Sequence, residues 1–142
     1  MLILIILLLL ELYFPYVIYS DINISPDFLL IIIILLSFRL DRSKIIIISF
    51  FIGLIKDFLI QYSFFGFLSL IHTCFSYGLG NIHNIRDDRT KYFLISILIF
   101  FYFFITYQLD YSNSYILLIS FSMLRTFITF SIFYLFKNII KQ

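Results

Sequence analysis

Eight of the ten lysines and arginines fall in every second gap between long apolar runs, and this alternation constrains the chain more than any motif does. The runs cover residues 2–19, 26–40, 45–60, 64–80, 92–108 and 115–136. Arg39, Arg42 and Lys44 occupy the second connection, Arg86, Arg89 and Lys91 the fourth, and Lys137 and Lys141 the tail. The other connections contain no basic residue and offer Asp21, Asp27 and Asp110. A helix needs about 20 apolar residues to cross a bilayer, with about 17–25 tolerated. Six spans would gather those eight basic residues on one side, which the positive-inside rule assigns to the cytoplasm together with both termini. The second run is the weak member, about 22 Å long as a helix. It crosses if Arg39 snorkels or the bilayer thins, or it inserts only in part.

Composition agrees. Of 142 residues, 63% are hydrophobic, 22% aromatic and 13% charged, with a mean hydropathy of +1.09. Soluble domains carry about 25% charged residues, and a water-soluble core could not hide this much Ile, Leu and Phe. The expectation is an all-α integral membrane protein, a six-helix bundle forming one domain over residues 1–142. The longest polar stretch, 81–91, leaves no room for an extramembrane domain. The first run has no basic residue before it and no small-residue cleavage site after it, so it reads as a retained helix rather than a leader.

Apart from Asp27 and Arg39 at the two ends of the second run, four charged residues lie inside the runs: Glu11, Lys56, Asp57 and Arg125. Each costs about 2.5–3.5 kcal/mol at a helix centre unless it is paired, hydrated or able to snorkel. Glu11 and Arg125 sit halfway along the first and last runs, which points to a buried ion pair joining the two ends of the chain. The alternative is that each faces a water-filled cavity or a partner on its own. Ser49, Gly53 and Asp57 share one face of the third helix. Gly66, Ser69, Thr73, Ser76 and Gly80 form a matching small-residue stripe on the fourth. Small residues at helical spacing let backbones approach closely, so the two helices should form a tight hairpin with Asp57 on its packed face. This face serves either helix packing or partner binding. Lys56 should run its stem out to the interface. Tyr16, Tyr19, Tyr62, Tyr107, Tyr111 and Tyr115 fall near the outer ends, as an aromatic belt or as the lining of a cavity.

Catalytic patterns are missing. The single cysteine, Cys74, excludes an internal disulfide and a cysteine-based metal site. His72 and His83 have no carboxylate at ligand spacing. Gly78-Leu79-Gly80 suits a helix exit rather than a phosphate loop, and no serine stands in a nucleophile elbow. "HNIRDDRTK" reads as a solvated loop or as a docking surface for a cytoplasmic partner or anionic headgroups. Neither an enzyme nor an ion-coupled pump is expected, and no cofactor, metal or nucleic acid.

The stretches "SPDFLLIIIILLSF" and "FFIGLIKDFLIQYSFFGFLSLIHTCFSYGLGNI" resemble the MreD family, the small membrane subunit of the bacterial cell-elongation machinery. The resemblance rests on Pro26 and Asp27, then Gly53, Leu54 and Asp57, then Gly66, and finally Tyr77 and Gly80, in family order across residues 25–82. Outside this region only hydropathy agrees. The resemblance implies a non-enzymatic inner-membrane scaffold that maintains rod shape. Its implied partners are an MreC-like protein, the MreB-like cytoskeleton and the peptidoglycan polymerase–transpeptidase pair. The family is also similar to the substrate-binding S components of energy-coupling-factor transporters, which makes a vitamin-binding subunit the alternative.

Overall fold

A helix in apolar surroundings must find partners for its first N–H groups and its last carbonyls. Where this chain supplies such partners decides where its helices begin. The computed structural model describes residues 2–14, 18–19, 22–60, 65–110 and 115–140. In chain order it has α1 (Leu2–Tyr13), β1 (Ile18–Tyr19), β2 (Ile22–Asn23), α2 (Phe28–Ser37), α3 (Arg42–Ile60), α4 (Phe67–Ile82), α5 (Asp88–Asp110) and α6 (Tyr115–Ile140). Six helices among the described residues match the all-helical expectation, with a small antiparallel ladder added. The chain divides into two compact units, residues 1–31 with 96–142, and residues 32–95.

The helix boundaries differ from the apolar runs for local reasons. α1 ends at Tyr13 rather than reaching residue 19, with one further turn bond from the Phe14 N–H to the Leu10 carbonyl at 2.8 Å. Pro15 follows, and a proline disfavours helical backbone in the residue before it. The chain then pairs Ile18 with Asn23 and Tyr19 with Ile22. Ser25 followed by Pro26 reads in the sequence as a start signal for α2, a cap and then a proline in the first turn. Asp27 takes that role instead: its Oδ1 accepts the Leu30 N–H at 3.0 Å and its carbonyl accepts the Ile31 N–H at 3.2 Å. An aspartate is among the best N-caps, and Pro26 is left outside the helix where its missing N–H matters least.

Within residues 32–95, α3 and α4 run antiparallel. Gly53 meets Ser69, and Arg42, eleven residues earlier on α3, meets Gly80, eleven residues later on α4. α2 is apolar on every face, and Phe28, Leu30, Ile31, Ile33 and Ile34 are all buried. That is the pattern of a helix enclosed by protein. α6 is the opposite: Ile116, Leu117, Met123, Phe127 and Leu135 are all exposed, Ile116 to 82%. Apolar surface this large is not left bare to water by a soluble monomer. Among the described residues, two helical stretches are long and apolar enough to cross a membrane, Asp88–Gln108 and Tyr115–Lys137.

α5 starts in polar surroundings. Asp87 Oδ2 accepts the Thr90 N–H at 2.9 Å and also the Thr90 hydroxyl. These two bonds hold the Asp87 carboxyl below its ordinary value of 3.8. A carboxylate with a depressed folded-state value stabilises the fold above its unfolded value and loses that contribution as pH falls through the folded one. Asp87→Ala should therefore lower the Tm of the purified chain at neutral pH. The gap to the parent should close in acid, below pH 3.8. A gap independent of pH would mean that the carboxylate charge is not what holds the start of α5.

Candidate functional site

α4 opens at Gly66, whose φ of +93° lies in the left-handed region open to glycine, and this residue brings no side-chain cap. The acid comes from the preceding helix. Asp57 Oδ1 accepts the Leu68 N–H at 3.0 Å and Oδ2 accepts the Ser69 N–H at 3.1 Å. Its negative charge sits on the positive end of the α4 dipole. Asp57 is only 2% exposed, so this contact is what makes a carboxylate tolerable there.

Gly53, one turn before Asp57, lets the backbones meet. A Cβ at Gly53 would lie 2.3 Å from Ser69 Cα and 2.8 Å from its nitrogen. The small-residue stripe on α4 is occupied as its spacing suggests. Ser69 Oγ donates to the Gly66 carbonyl at 2.6 Å, Thr73 Oγ1 to the Ser69 carbonyl at 2.6 Å and Ser76 Oγ to the Thr73 carbonyl at 2.8 Å. Each hydroxyl is satisfied within its own helix, so the stripe packs without polar debts. On the facing side Ser49 is buried with no hydrogen-bond partner for its hydroxyl among the described residues. At the far end Gly80 lies under the Arg42 stem, with a built Cβ 2.7 Å from Arg42 Cγ. Lys56 does not run out to the interface as expected: it is 7% exposed, because protein covers that side of α3.

The second cluster lies in the unit formed by residues 1–31 and 96–142, and it gathers on residues 25–28. Glu11 Oε2 accepts the Phe28 N–H at 2.9 Å, so the first turn of α2 is held by an acid from α1 as well as by its own Asp27. Asp27 Oδ2 also accepts the Tyr102 hydroxyl at 3.2 Å. Arg125 Nε donates to the Ser25 carbonyl at 2.8 Å and Nη1 to the Tyr107 hydroxyl at 3.4 Å. The guanidinium lies over the Phe103 ring, 4.5 Å from its centroid, a cation–π geometry. Glu11 and Arg125 thus fasten the same four residues, one through an N–H and the other through a carbonyl.

Sequence reasoning named Glu11 and Arg125 but missed Tyr102 and Phe103, took Ser25 for a cap rather than a carbonyl partner of Arg125, and did not single out Asp27 as a cap. The Ser-Pro-Asp string was the available signal for Asp27. Tyr102 and Phe103 gave none, because they look like two more aromatics in an apolar run. Tyr107 is not a belt residue: it is buried and bonded to Arg125, whereas Tyr115 is exposed. Tyr16, Tyr62 and Tyr111 lie outside the described residues, as does the side chain of Tyr19. His72 is buried with Nδ1 2.8 Å from the Leu68 carbonyl, so that nitrogen carries the proton. The His83 ring instead meets Phe38. Among the described residues no three His, Cys, Asp or Glu side chains are grouped to hold a metal. Asp27 already carries two donors, the Leu30 N–H and the Tyr102 hydroxyl.

Gly53→Ala should destabilise the chain by about 1–3 kcal/mol, the usual cost of overpacking. Asp57→Ala should cost at least as much, since each bare buried N–H costs about 1–3 kcal/mol. Asp57→Asn, which keeps an acceptor oxygen, should recover part of the loss. Thermal unfolding in detergent reads all three, and an unchanged Tm in Gly53→Ala would contradict the close approach. We propose further that Glu11 and Arg125 offset each other's charge. In a double-mutant cycle with Glu11→Gln and Arg125→Met, the pair removed together should cost less than the sum of the single losses. Additive losses would rule the offset out.

The family model described as rod shape-determining protein MreD matches residues 1–141, well beyond the span of residues 25–82 in which the motifs lie. No curated protein and no solved structure matches the chain, and the likeness to S components finds no support in these comparisons. With a match over nearly all of its 142 residues, the chain belongs to the MreD family of rod shape-determining membrane proteins.

Proposed function

We propose that the protein is a non-enzymatic, multi-pass scaffold in the bacterial inner membrane. In this reading it holds an MreC-like protein and the peptidoglycan polymerase–transpeptidase pair beside an MreB-like cytoskeleton during lateral wall growth. The observation that carries this is the family match across residues 1–141. The use made of the inward polar groups supports it. Asp57 braces the start of α4, while Glu11, Asp27 and Arg125 brace the start of α2. These contacts stiffen a bundle, as a support requires. The large exposed apolar residues of α1, α3, α5 and α6 suit lipid and partner helices.

In this reading all six helices insert, the termini and the basic connections face the cytoplasm, and the hairpin of α3 and α4 is the working surface. Asp57 acts on that surface as a brace. Mild-detergent purification of the tagged chain from its native membrane should recover MreC-like and wall-synthase subunits. Asp57→Leu should still insert and recover less of them. A stably inserted parent chain that recovers neither subunit would overturn the scaffold reading. Topology is checked separately by introducing Ser43→Cys or Asn84→Cys into a Cys74→Ala background. Both cysteines should react with a membrane-impermeant maleimide only after the cytoplasmic side is opened. Reaction in intact cells would reverse the orientation.

A further inference from the structure

The end of α2, the start of α3 and the end of α4 enclose a cavity of about 350 Å³, lined by residues 37–42 with Ile45, Gly80, His83 and Asn84. No feature described so far uses it. We infer that this cavity binds the phosphate of an anionic phospholipid, with the acyl chains leaving along α3. The inference rests on the membrane orientation proposed above, which puts this end of the hairpin at the cytoplasmic headgroup layer.

Three observations point to a phosphate. Arg42 is held in place before any ligand arrives: its guanidinium carbon lies 4.1 Å from the Tyr77 ring centroid, and its stem crosses α4 where Gly80 leaves room. An arginine fixed in this way loses little freedom on binding, and its planar fork matches two phosphate oxygens. Arg39 is exposed on the same wall, and its side chain has no partner among the described residues. The one acid in the lining, Asp41, is taken by Lys44, with Nζ to Oδ2 at 3.1 Å. The cavity is therefore left with two cationic side chains and a carboxylate paired with Lys44, beside the donors of Asn84 and the first turn of α3.

The walls favour a lipid over a free anion. Phe38, Leu40 and Ile45 line the same cavity, with the Phe38 ring stacked edge-on against His83 at 5.9 Å. α3 then continues into Ile47, Phe50 and Phe51, all exposed apolar residues. A phosphate on the arginines would leave its acyl chains beside that strip. Soluble phosphate would find only half of the site useful.

The test uses the full chain in phosphatidylcholine vesicles, with trace spin-labelled phosphatidylglycerol or phosphatidylcholine reporting the lipid held immobile at the protein. The parent should prefer phosphatidylglycerol. Arg39→Ala and Arg42→Ala should each lower that preference about tenfold, the size of one charge-assisted hydrogen bond. Gly80→Ala, which pushes the Arg42 stem aside, should act like Arg42→Ala. Arg89→Ala should leave the preference in place, because Arg89 is exposed and does not line the cavity. An equal loss in Arg89→Ala would replace the cavity with a diffuse basic surface. Displacement of the labelled lipid by inorganic phosphate at matched concentration would reassign the site to soluble anions. A chain stripped from the vesicles by alkaline carbonate would defeat the membrane reading and this site together. A chain that stays inserted without lipid preference would defeat the site alone.

Discussion

A carboxylate laid across the open N–H groups of a helix start replaces the water those groups would otherwise need, and this chain depends on that contact inside an apolar interior. Asp57 reaches the Leu68 and Ser69 N–H groups at 3.0 and 3.1 Å. That reach exists only because Gly53 brings α3 against the same two residues, at a separation that a side chain would forbid. The dependence runs the other way as well. Without the carboxylate, close packing would press two bare N–H groups against protein, where each costs about 1–3 kcal/mol. Glycine and acid therefore stabilise α4 only in combination, and their four-residue spacing on α3 places both beside its first turn.

Residues 25–28 are held by the same logic with both signs of charge. Glu11 and Asp27 take N–H groups of the first turn of α2, and Arg125 takes the carbonyl of Ser25 just before it. The backbone there presents donors toward the helix and an acceptor behind, and the charges follow that polarity. A lysine would not serve as well as Arg125. The guanidinium donates through Nε and Nη1 while its carbon stays 4.5 Å from the Phe103 ring centroid, and a point charge on a flexible stem cannot do both.

Much of this was legible in the sequence, for identifiable reasons. The apolar runs located the six helices seen among the described residues, because a helix satisfies the backbone of an apolar segment from within. The stripe from Gly66 to Gly80 foretold the hairpin, since small side chains at helical spacing have little other use. Boundaries were less visible. α1 gives way before Pro15 to a short ladder that the apolar run conceals, and α2 begins at Asp27 although Ser25 and Pro26 look like an equally good start. Lys56 was misread because its exposure depends on what covers α3, which periodicity does not report. Tyr102 was invisible as a polar partner, being 75 positions from Asp27, and Tyr107, 18 positions from its partner Arg125, looked like one more aromatic at a helix end.

The caps that come from another helix make tertiary contact a condition of secondary structure. Ordinarily a helix carries its own cap and begins wherever that residue stands, as α5 does at Asp87. α4 has no such residue at Gly66 and borrows its acid from α3, while α2 adds Glu11 from α1 to its own Asp27. Each preceding helix must therefore be in place before the next one can start without bare donors. This couples neighbouring helices more tightly than apolar packing does, because lipid tails compete for apolar contacts and offer nothing to an N–H group. Under the scaffold proposal, a support that meets its partners within the membrane would gain from that asymmetry. Apolar contacts with partner helices or lipid would be exchanged on its outer surface while the polar contacts that fix the starts of α2 and α4 stay closed inside.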